Sequence, residues 1–112
     1  MKLSPIDIEL LRNGLSSICD EMFLAIMKSA YSTNIKERHD HSTALMDRQG
    51  RLVAQAENSL PIHLSSMMGM MAVVVKQYAP GVLEEGDILV GNDPYASGGT
   101  HLPDVGLVMP VF

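Results

Sequence analysis

The fold is decided by the stretch SPIDIELLRNGLSSICDEMFLAIMKSAYS, residues 4–32, which predicts one long helix. Ser4 suits the N-cap position, Pro5 suits the first helical position, and Asp7 completes a capping-box-like pattern. Apolar side chains then recur every three or four residues, at Leu11, Leu15, Ile18, Met22, Ile26 and Ala30. Such a helix is ~42 Å long at 1.5 Å per residue, whereas a compact chain of this length is roughly 34 Å across. We therefore expect the helix either to bend near Gly14 or to pack partly against protein outside this chain.

The middle of the chain predicts a β-hairpin followed by a second helix. Strands are predicted over residues 43–46 and 51–56, because the intervening Asp-Arg-Gln-Gly suits a type I turn closed by a left-handed glycine. Pro61 is expected to interrupt the chain, and the helix is predicted over residues 64–78. Its methionines and valines leave little polar face, so we expect a helix that is buried on both sides.

The carboxyl-terminal part predicts two further strands, over residues 87–92 and 105–112, and Pro110 indicates that the second lies at a sheet edge or is near its end there. The stretch between them is rich in proline and glycine and is predicted to be a loop. The predicted fold class is α+β: a long N-terminal helix, a β-hairpin, a buried second helix and two strands. Residues 1–112 are expected to form a single domain.

Composition excludes several classes of protein. Of the 112 residues, 46% are hydrophobic and 19% charged, which is ordinary for a globular domain. The net charge is −5 and the lysines and arginines are scattered, so no basic stripe for nucleic acid exists. No apolar run approaches the ~20 residues of a membrane span, and no signal-peptide pattern follows the first methionine. The single cysteine, Cys19, is expected to be an inert core or interface residue, and the whole pattern predicts a soluble cytoplasmic protein.

Histidine and carboxylate side chains cluster in three places. They are His39-Asp40-His41, then His63, and then Gly98-Gly99-Thr100-His101-Leu102-Pro103-Asp104. On an extended segment side chains alternate, so either Asp40 faces inward alone or the two flanking histidines do. The two glycines before His101 allow backbone to approach a ligand closely. Imidazole and carboxylate groups suit zinc, manganese or iron, although the spacing fits ordinary surface or capping histidines as well.

Four ordered motifs resemble the start of the hydantoinase B family. They are Asn34-Ile35-Lys36-Glu37-Arg38-His39-Asp40, Gly50-Arg51-Leu52-Val53-Ala54-Gln55, Pro61-Ile62-His63-Leu64, and Asn92-Asp93-Pro94-Tyr95 followed by the Gly98–Asp104 motif. This family includes N-methylhydantoinase B, the B-like half of 5-oxoprolinase, and subunits of acetone and acetophenone carboxylases. Because its members run to several hundred residues, the resemblance covers only their N-terminal part, and we expect a fragment of a larger subunit.

The resemblance implies an ATP-dependent enzyme of two components. A hydantoinase A-type partner would hydrolyse ATP and phosphorylate the substrate, and the B-type subunit would complete hydrolysis of a cyclic amide at a divalent metal. The substrate would be of the hydantoin or 5-oxoproline class. The resemblance implies that Asp40 and His101 are metal ligands, and we expect His101, Asp104 and His63 to carry catalytic or positioning roles. A further histidine ligand is expected beyond Phe112.

Two other functions fit the same motifs: an acetone-type carboxylase subunit, and a non-catalytic assembly module that contacts an A-type partner. His39 and His41 stand where the family has apolar or aromatic residues, and the motifs leave their roles open. The expected partners are the A-type ATP-hydrolysing subunit, the remainder of the B-type subunit, and a small cyclic amide. Since the two helices carry more apolar surface than one small globule covers, we also expect an oligomer.

Overall fold

The computed structural model describes residues 2–112, which form two compact units. The first unit comprises residues 2–47 and 52–60, and the second comprises Arg48–Arg51 and Pro61–Phe112. In chain order the elements are α1 (Pro5–Ser29), α2 (Thr33–Lys36), β1 (Ala44–Met46), β2 (Leu52–Gln55), α3 (Pro61–Gln77), β3 (Leu89–Gly91), α4 (Pro94–Ser97) and β4 (Gly106–Val108). The predicted α+β class is confirmed, and the single domain over residues 1–112 stays a prediction. No helix within residues 2–112 is long and apolar enough to cross a membrane.

Helix α1 begins where the sequence places it. The backbone N–H of Asp7 donates to the Ser4 hydroxyl at 3.2 Å, and the backbone N–H of Ser4 donates to the Asp7 carboxylate at 2.9 Å. This capping box satisfies two of the amide groups that a helix start leaves without partners. The helix ends at Ser29 rather than Ser32, because Ala30 already has an extended backbone. All residues from Pro5 to Gly14 are exposed.

The first unit is held together by the packing of the β1–β2 hairpin against α1. Its core consists of Cys19, Phe23, Ala54 and Ala56, with Leu15 and Leu45 partly buried against them. The Thr43 hydroxyl donates to the Cys19 carbonyl at 2.7 Å, which ties the start of the hairpin to the helix. The predicted hairpin is confirmed, with antiparallel strands and a left-handed Gly50 at φ 78°. The expectation of a buried, unbridged Cys19 is confirmed too.

The second unit is built around helix α3, which differs from its prediction in two ways. It begins at Pro61, so the expectation that this proline interrupts the chain before residue 64 is wrong. Proline is tolerated in the first helical turn, where its missing N–H would have no intrahelical partner. The helix is also buried on one face only, through Leu64, Met70 and Val74. Met68 and Val75 are 44% and 41% exposed, because within residues 2–112 only α4 and β4 pack extensively against this helix.

Strands β3 and β4 pair antiparallel, with Leu89 opposite Val108 and Gly91 opposite Gly106. Both strands are shorter than predicted, and Pro110 lies beyond the end of β4. The predicted loop between them contains one turn of helix, α4, which Asp93 caps by accepting from the Tyr95 and Ala96 amides.

Candidate histidine–carboxylate site

The centre of the candidate site is a short contact between His101 and Asp104. The Nε2 atom of His101 lies 2.8 Å from the Oδ1 atom of Asp104. Because a carboxylate only accepts, this geometry puts the ring proton on Nε2 and the lone pair on Nδ1. The side chain of His101 is 60% exposed and that of Asp104 is 27% exposed. The pair therefore faces solvent and is accessible to a small ligand.

The loop that carries this pair is held from both sides by polar contacts. The Thr100 hydroxyl donates to the Oδ2 atom of Asp104 at 3.1 Å, so both carboxylate oxygens have partners within the loop. The side-chain amide of Asn92 donates to the carbonyl of Leu102 at 2.8 Å, which fixes the loop to the end of β3. The sequence indicated no role for Thr100 or Asn92. Both residues lie within the family motifs, and that position was the signal that could have singled them out.

His63 belongs to the same cluster. It lies in the first turn of α3 and is half-buried. Burial raises the pKa of Asp104. Hydrogen bonds from His101 and Thr100, together with the charges of His101 and His63, lower this pKa by a larger total amount. The net pKa of Asp104 therefore lies below its ordinary value. The second unit thus brings together all three residues that were expected to carry catalytic or positioning roles.

Two grooves of the second unit lie elsewhere. They have volumes of about 490 and 160 Å³ and run beside α3 and α4, where Val73 and Ser97 line both. Neither groove contains His63, His101 or Asp104. The histidine–carboxylate cluster is accordingly a feature of an exposed surface, and the grooves are mainly apolar gaps between packed elements.

The segment His39-Asp40-His41 lies in the first unit and does not have the extended geometry expected from the sequence. His39 has a left-handed backbone, with φ 56°, so the expected alternation of side chains is broken. His41 is buried against Phe23, whereas His39 and Asp40 are exposed. The backbone N–H of Asp40 donates to the Asn34 carbonyl at 2.9 Å. Because Asp40 and His101 belong to different units, their approach to a shared ion stays a prediction.

The donor chemistry of the His101–Asp104 pair fits a divalent cation. Imidazole nitrogen is a zinc ligand at ~2.0–2.1 Å, and the Nδ1 lone pair of His101 could contact an ion while Asp104 orients the ring through Nε2. Within residues 2–112 the structure contains no group of three or more histidine, cysteine or acidic side chains arranged to hold a metal. The pair therefore fits as part of a coordination shell, with further ligands required.

Comparison with known proteins identifies the family. The family model described as hydantoinase B/oxoprolinase matches residues 4–112. The 5-oxoprolinase of Saccharomyces cerevisiae is 38% identical over 112 residues, covering 100% of this chain and 8% of the relative. The 5-oxoprolinase PfmaA of Pestalotiopsis fici is 42% identical, with 99% and 8% covered. The putative B subunit of a D-/L-hydantoinase from a Pseudomonas species is 28% identical, with 99% and 19% covered.

The chain spans between 8% and 20% of the length of the curated relatives that it matches. No solved structure matches it. The match to the family model extends over nearly every residue, including all four motifs and the histidine–carboxylate pair. The predicted relationship is confirmed, and the chain belongs to the hydantoinase B/oxoprolinase family.

Proposed function

We propose that this chain contributes part of a divalent-metal site to a B-type subunit that hydrolyses a cyclic amide of the hydantoin or 5-oxoproline class. The observation that carries the proposal is the exposed His101–Asp104 pair, in which Asp104 holds the His101 ring through a 2.8 Å contact to Nε2 and leaves the Nδ1 lone pair for an ion. The relatives named as 5-oxoprolinases and as part of a hydantoinase support cyclic-amide hydrolysis at the level of the family.

The proposed roles follow from the chemistry of each side chain. His101 and Asp40, which the family resemblance implies as ligands, would hold a zinc, manganese or iron ion, and Asp104 would orient the His101 ring. A divalent ion acts as a Lewis acid toward an amide carbonyl and lowers the pKa of water. Thr100 keeps the Asp104 carboxylate in place through its 3.1 Å hydrogen bond. We assign His63 a positioning role, since its charge acts on Asp104.

Two further protein components complete the proposed enzyme. The remainder of the B-type subunit would supply the missing metal ligands. A hydantoinase A-type subunit would hydrolyse ATP and activate the substrate by phosphorylation. The Pseudomonas relative is named as one subunit of a hydantoinase, which supports an assembly with more than one kind of subunit.

The experiment measures ATP turnover and product formation in parallel, on a complex reconstituted with the remainder of the B-type subunit and an A-type subunit and supplied with hydantoin or 5-oxoproline. We expect His101→Ala to abolish product formation while ATP turnover continues, because phosphorylation takes place on the other subunit. Asp40→Asn is expected to act nearly as strongly, since it removes a charge that holds the cation. His63→Ala should reduce product formation less than either of these variants, in keeping with a positioning role.

The matched control is Glu85→Gln, which changes an exposed carboxylate in the same unit and should leave both rates unchanged. Full product formation by the His101→Ala complex would overturn the site assignment. Product formed only from acetone and bicarbonate would instead support the carboxylase function.

A further inference from the structure

Helix α3 contacts the end of α4 through main-chain atoms at Gly69. A Cβ atom at Gly69 would overlap the carbonyl oxygen of Ser97 and would lie 3.2 Å from the Cα atom of Gly98. The obstacle is main chain rather than the end of a flexible side chain, so it cannot rotate away. Alanine is the better helix former in a helix interior. The glycine at this position therefore serves the close approach of the two backbones.

The contacted segment leads directly into the candidate site. Gly98 is the C-cap of α4 and has a left-handed backbone, with φ 68°. Only Gly99 and Thr100 separate it from His101. The segment before it is fixed as well, because Asp93 caps α4 and the Ser97 hydroxyl donates to the Asp93 carbonyl at 2.6 Å. A displacement at Ser97 or Gly98 is therefore transmitted to the start of the Thr100–Asp104 loop.

The same helix also carries the third member of the cluster. His63 lies six residues before Gly69 on α3, which corresponds to ~9 Å along the helix axis. The charge of His63 acts on Asp104, so the two groups are near each other across the gap between helix and loop. Gly69 permits a short distance between the backbones of α3 and Gly98. This distance in turn determines how far His63 lies from His101 and Asp104.

We propose that Gly69 is a positioning residue: its lack of a side chain lets the Ser97–Gly98 backbone rest on α3 and so places His101 and Asp104 relative to His63. The effect of Gly69 on catalysis rests on the proposed function, whereas the packing of Gly69 against Ser97 and Gly98 does not. A displacement of about 1 Å in reacting groups can reduce a rate ~100-fold. Relief of the overlap between a Cβ atom at Gly69 and the Ser97 carbonyl oxygen would require a displacement of this order.

The test compares Gly69→Ala with two other glycine-to-alanine variants. Gly14→Ala adds the same methyl group to α1, where nothing lies within 4 Å. Gly91→Ala adds it within the second unit, where it meets only the end of the Met70 side chain, with the Cε atom at 3.4 Å. Amide NMR spectra of the 112-residue chain are recorded for all three, and product formation and ATP turnover are measured in the reconstituted complex with 5-oxoproline or hydantoin.

We expect Gly69→Ala to shift the amide resonances of residues 97–104 and to reduce product formation ~10- to 100-fold, with ATP turnover unchanged. Gly14→Ala and Gly91→Ala should leave product formation within about twofold of the unmodified complex. Shifted amides with unchanged product formation would overturn the positioning role. Full activity of His101→Ala in the same assay would show instead that the proposed function is wrong.

A measurement on the unmodified chain covers the case in which Gly69→Ala does not fold. The Cα protons of Gly69 and Gly98 should give a nuclear Overhauser effect, because a Cβ atom at Gly98 would lie 3.5 Å from the Cα atom of Gly69. Observation of this effect, together with loss of folding in Gly69→Ala but not in Gly91→Ala, supports the contact. Its absence overturns the proposal.

Discussion

At the scale of single residues, His41 has a structural role in the first unit. Its ring stacks on Phe23, with the ring centroids 3.8 Å apart, and its Nε2 atom lies 3.0 Å from the Phe23 carbonyl oxygen. Since a carbonyl only accepts, Nε2 carries the ring proton. The Nδ1 atom is buried and has no hydrogen-bond partner among residues 2–112. The buried, stacked ring of His41 therefore packs as an aromatic side chain does.

Replacement of His41 should therefore destabilise the chain. We expect His41→Ala to lower the free energy of unfolding by about 2 kcal/mol, because it leaves a cavity beside Phe23 and an unpaired buried carbonyl. The control is His39→Asn, which is exposed and keeps a residue type that tolerates a left-handed backbone. It should change stability by less than about 0.5 kcal/mol. Urea unfolding measures both, and equal effects of the two variants would contradict the structural role.

At the scale of elements, the start of α1 carries a pH-dependent contribution to stability. Hydrogen bonds from the Ser4 hydroxyl and the Ser4 backbone N–H lower the pKa of Asp7 in the folded chain. A carboxyl group with a lowered folded pKa stabilises the fold above its unfolded pKa of about 3.9. That stabilisation is lost as the pH falls through the folded value. The ionised Asp7 also interacts favourably with the positive end of the helix dipole.

We therefore expect Asp7→Ala to lower the Tm by the same amount at all pH values from about 5 to about 8. Below a pH of about 4 the difference from the unmodified chain should shrink, since the protonated carboxyl no longer accepts from Ser4 as a charged group. Thermal unfolding followed by circular dichroism across this range provides the measurement. A Tm difference that grows on acidification would show that the capping box is not the source.

The sequence predicted those elements whose signals are local. The capping box of α1 and the left-handed glycine of the hairpin involve neighbouring residues, so their structures followed from residue type alone. The start of α3 was misplaced because proline both interrupts a chain and begins helices. Helix α4 was missed because it begins at the proline of an Asn92-Asp93-Pro94 sequence that is equally typical of a turn.

The candidate site was predictable in its residues and only partly in its geometry. The spacing of His101 and Asp104 placed both in one loop, and the structure brings His63 to the same cluster. The Gly69 contact could not be predicted, because it depends on which distant segment packs against α3. The assumed alternation of side chains around Asp40 was wrong because the backbone of His39 is left-handed rather than extended. No local sequence pattern predicts this conformation.

At the scale of the whole molecule, a large part of the apolar surface is uncovered. The first half of α1 exposes four large aliphatic side chains: Ile6, Ile8, Leu10 and Leu11, each at least 53% exposed. Monomeric soluble proteins rarely expose apolar patches of this kind, and large ones mark contacts with other protein. The short coverage of the relatives, between 8% and 20%, is consistent with such contacts in a longer protein.

We expect the 112-residue chain to self-associate at micromolar concentration. Sedimentation velocity should show species larger than the 12.2 kDa monomer. The double variant Ile8→Gln, Leu11→Gln should shift the distribution toward monomer, because it removes exposed apolar area from α1. Val82→Gln, which changes an exposed apolar residue outside the helices, serves as the control. A single stable monomer for the unmodified chain would contradict this expectation.

The packing of Met70 has a consequence for chemical damage. Its side chain is 8% exposed and lies against Gly91 and Gly106, where even a methyl group on Gly106 would come within 2.6 Å of the sulfur. Oxidation to the sulfoxide adds a polar oxygen at this point. Met68 and Met109 are 44% and 62% exposed and can carry that oxygen in solvent. Peroxide should therefore modify these two first without disturbing the packing, whereas a sulfoxide at Met70 would separate the β3–β4 pair from α3 until a reductase restored the thioether.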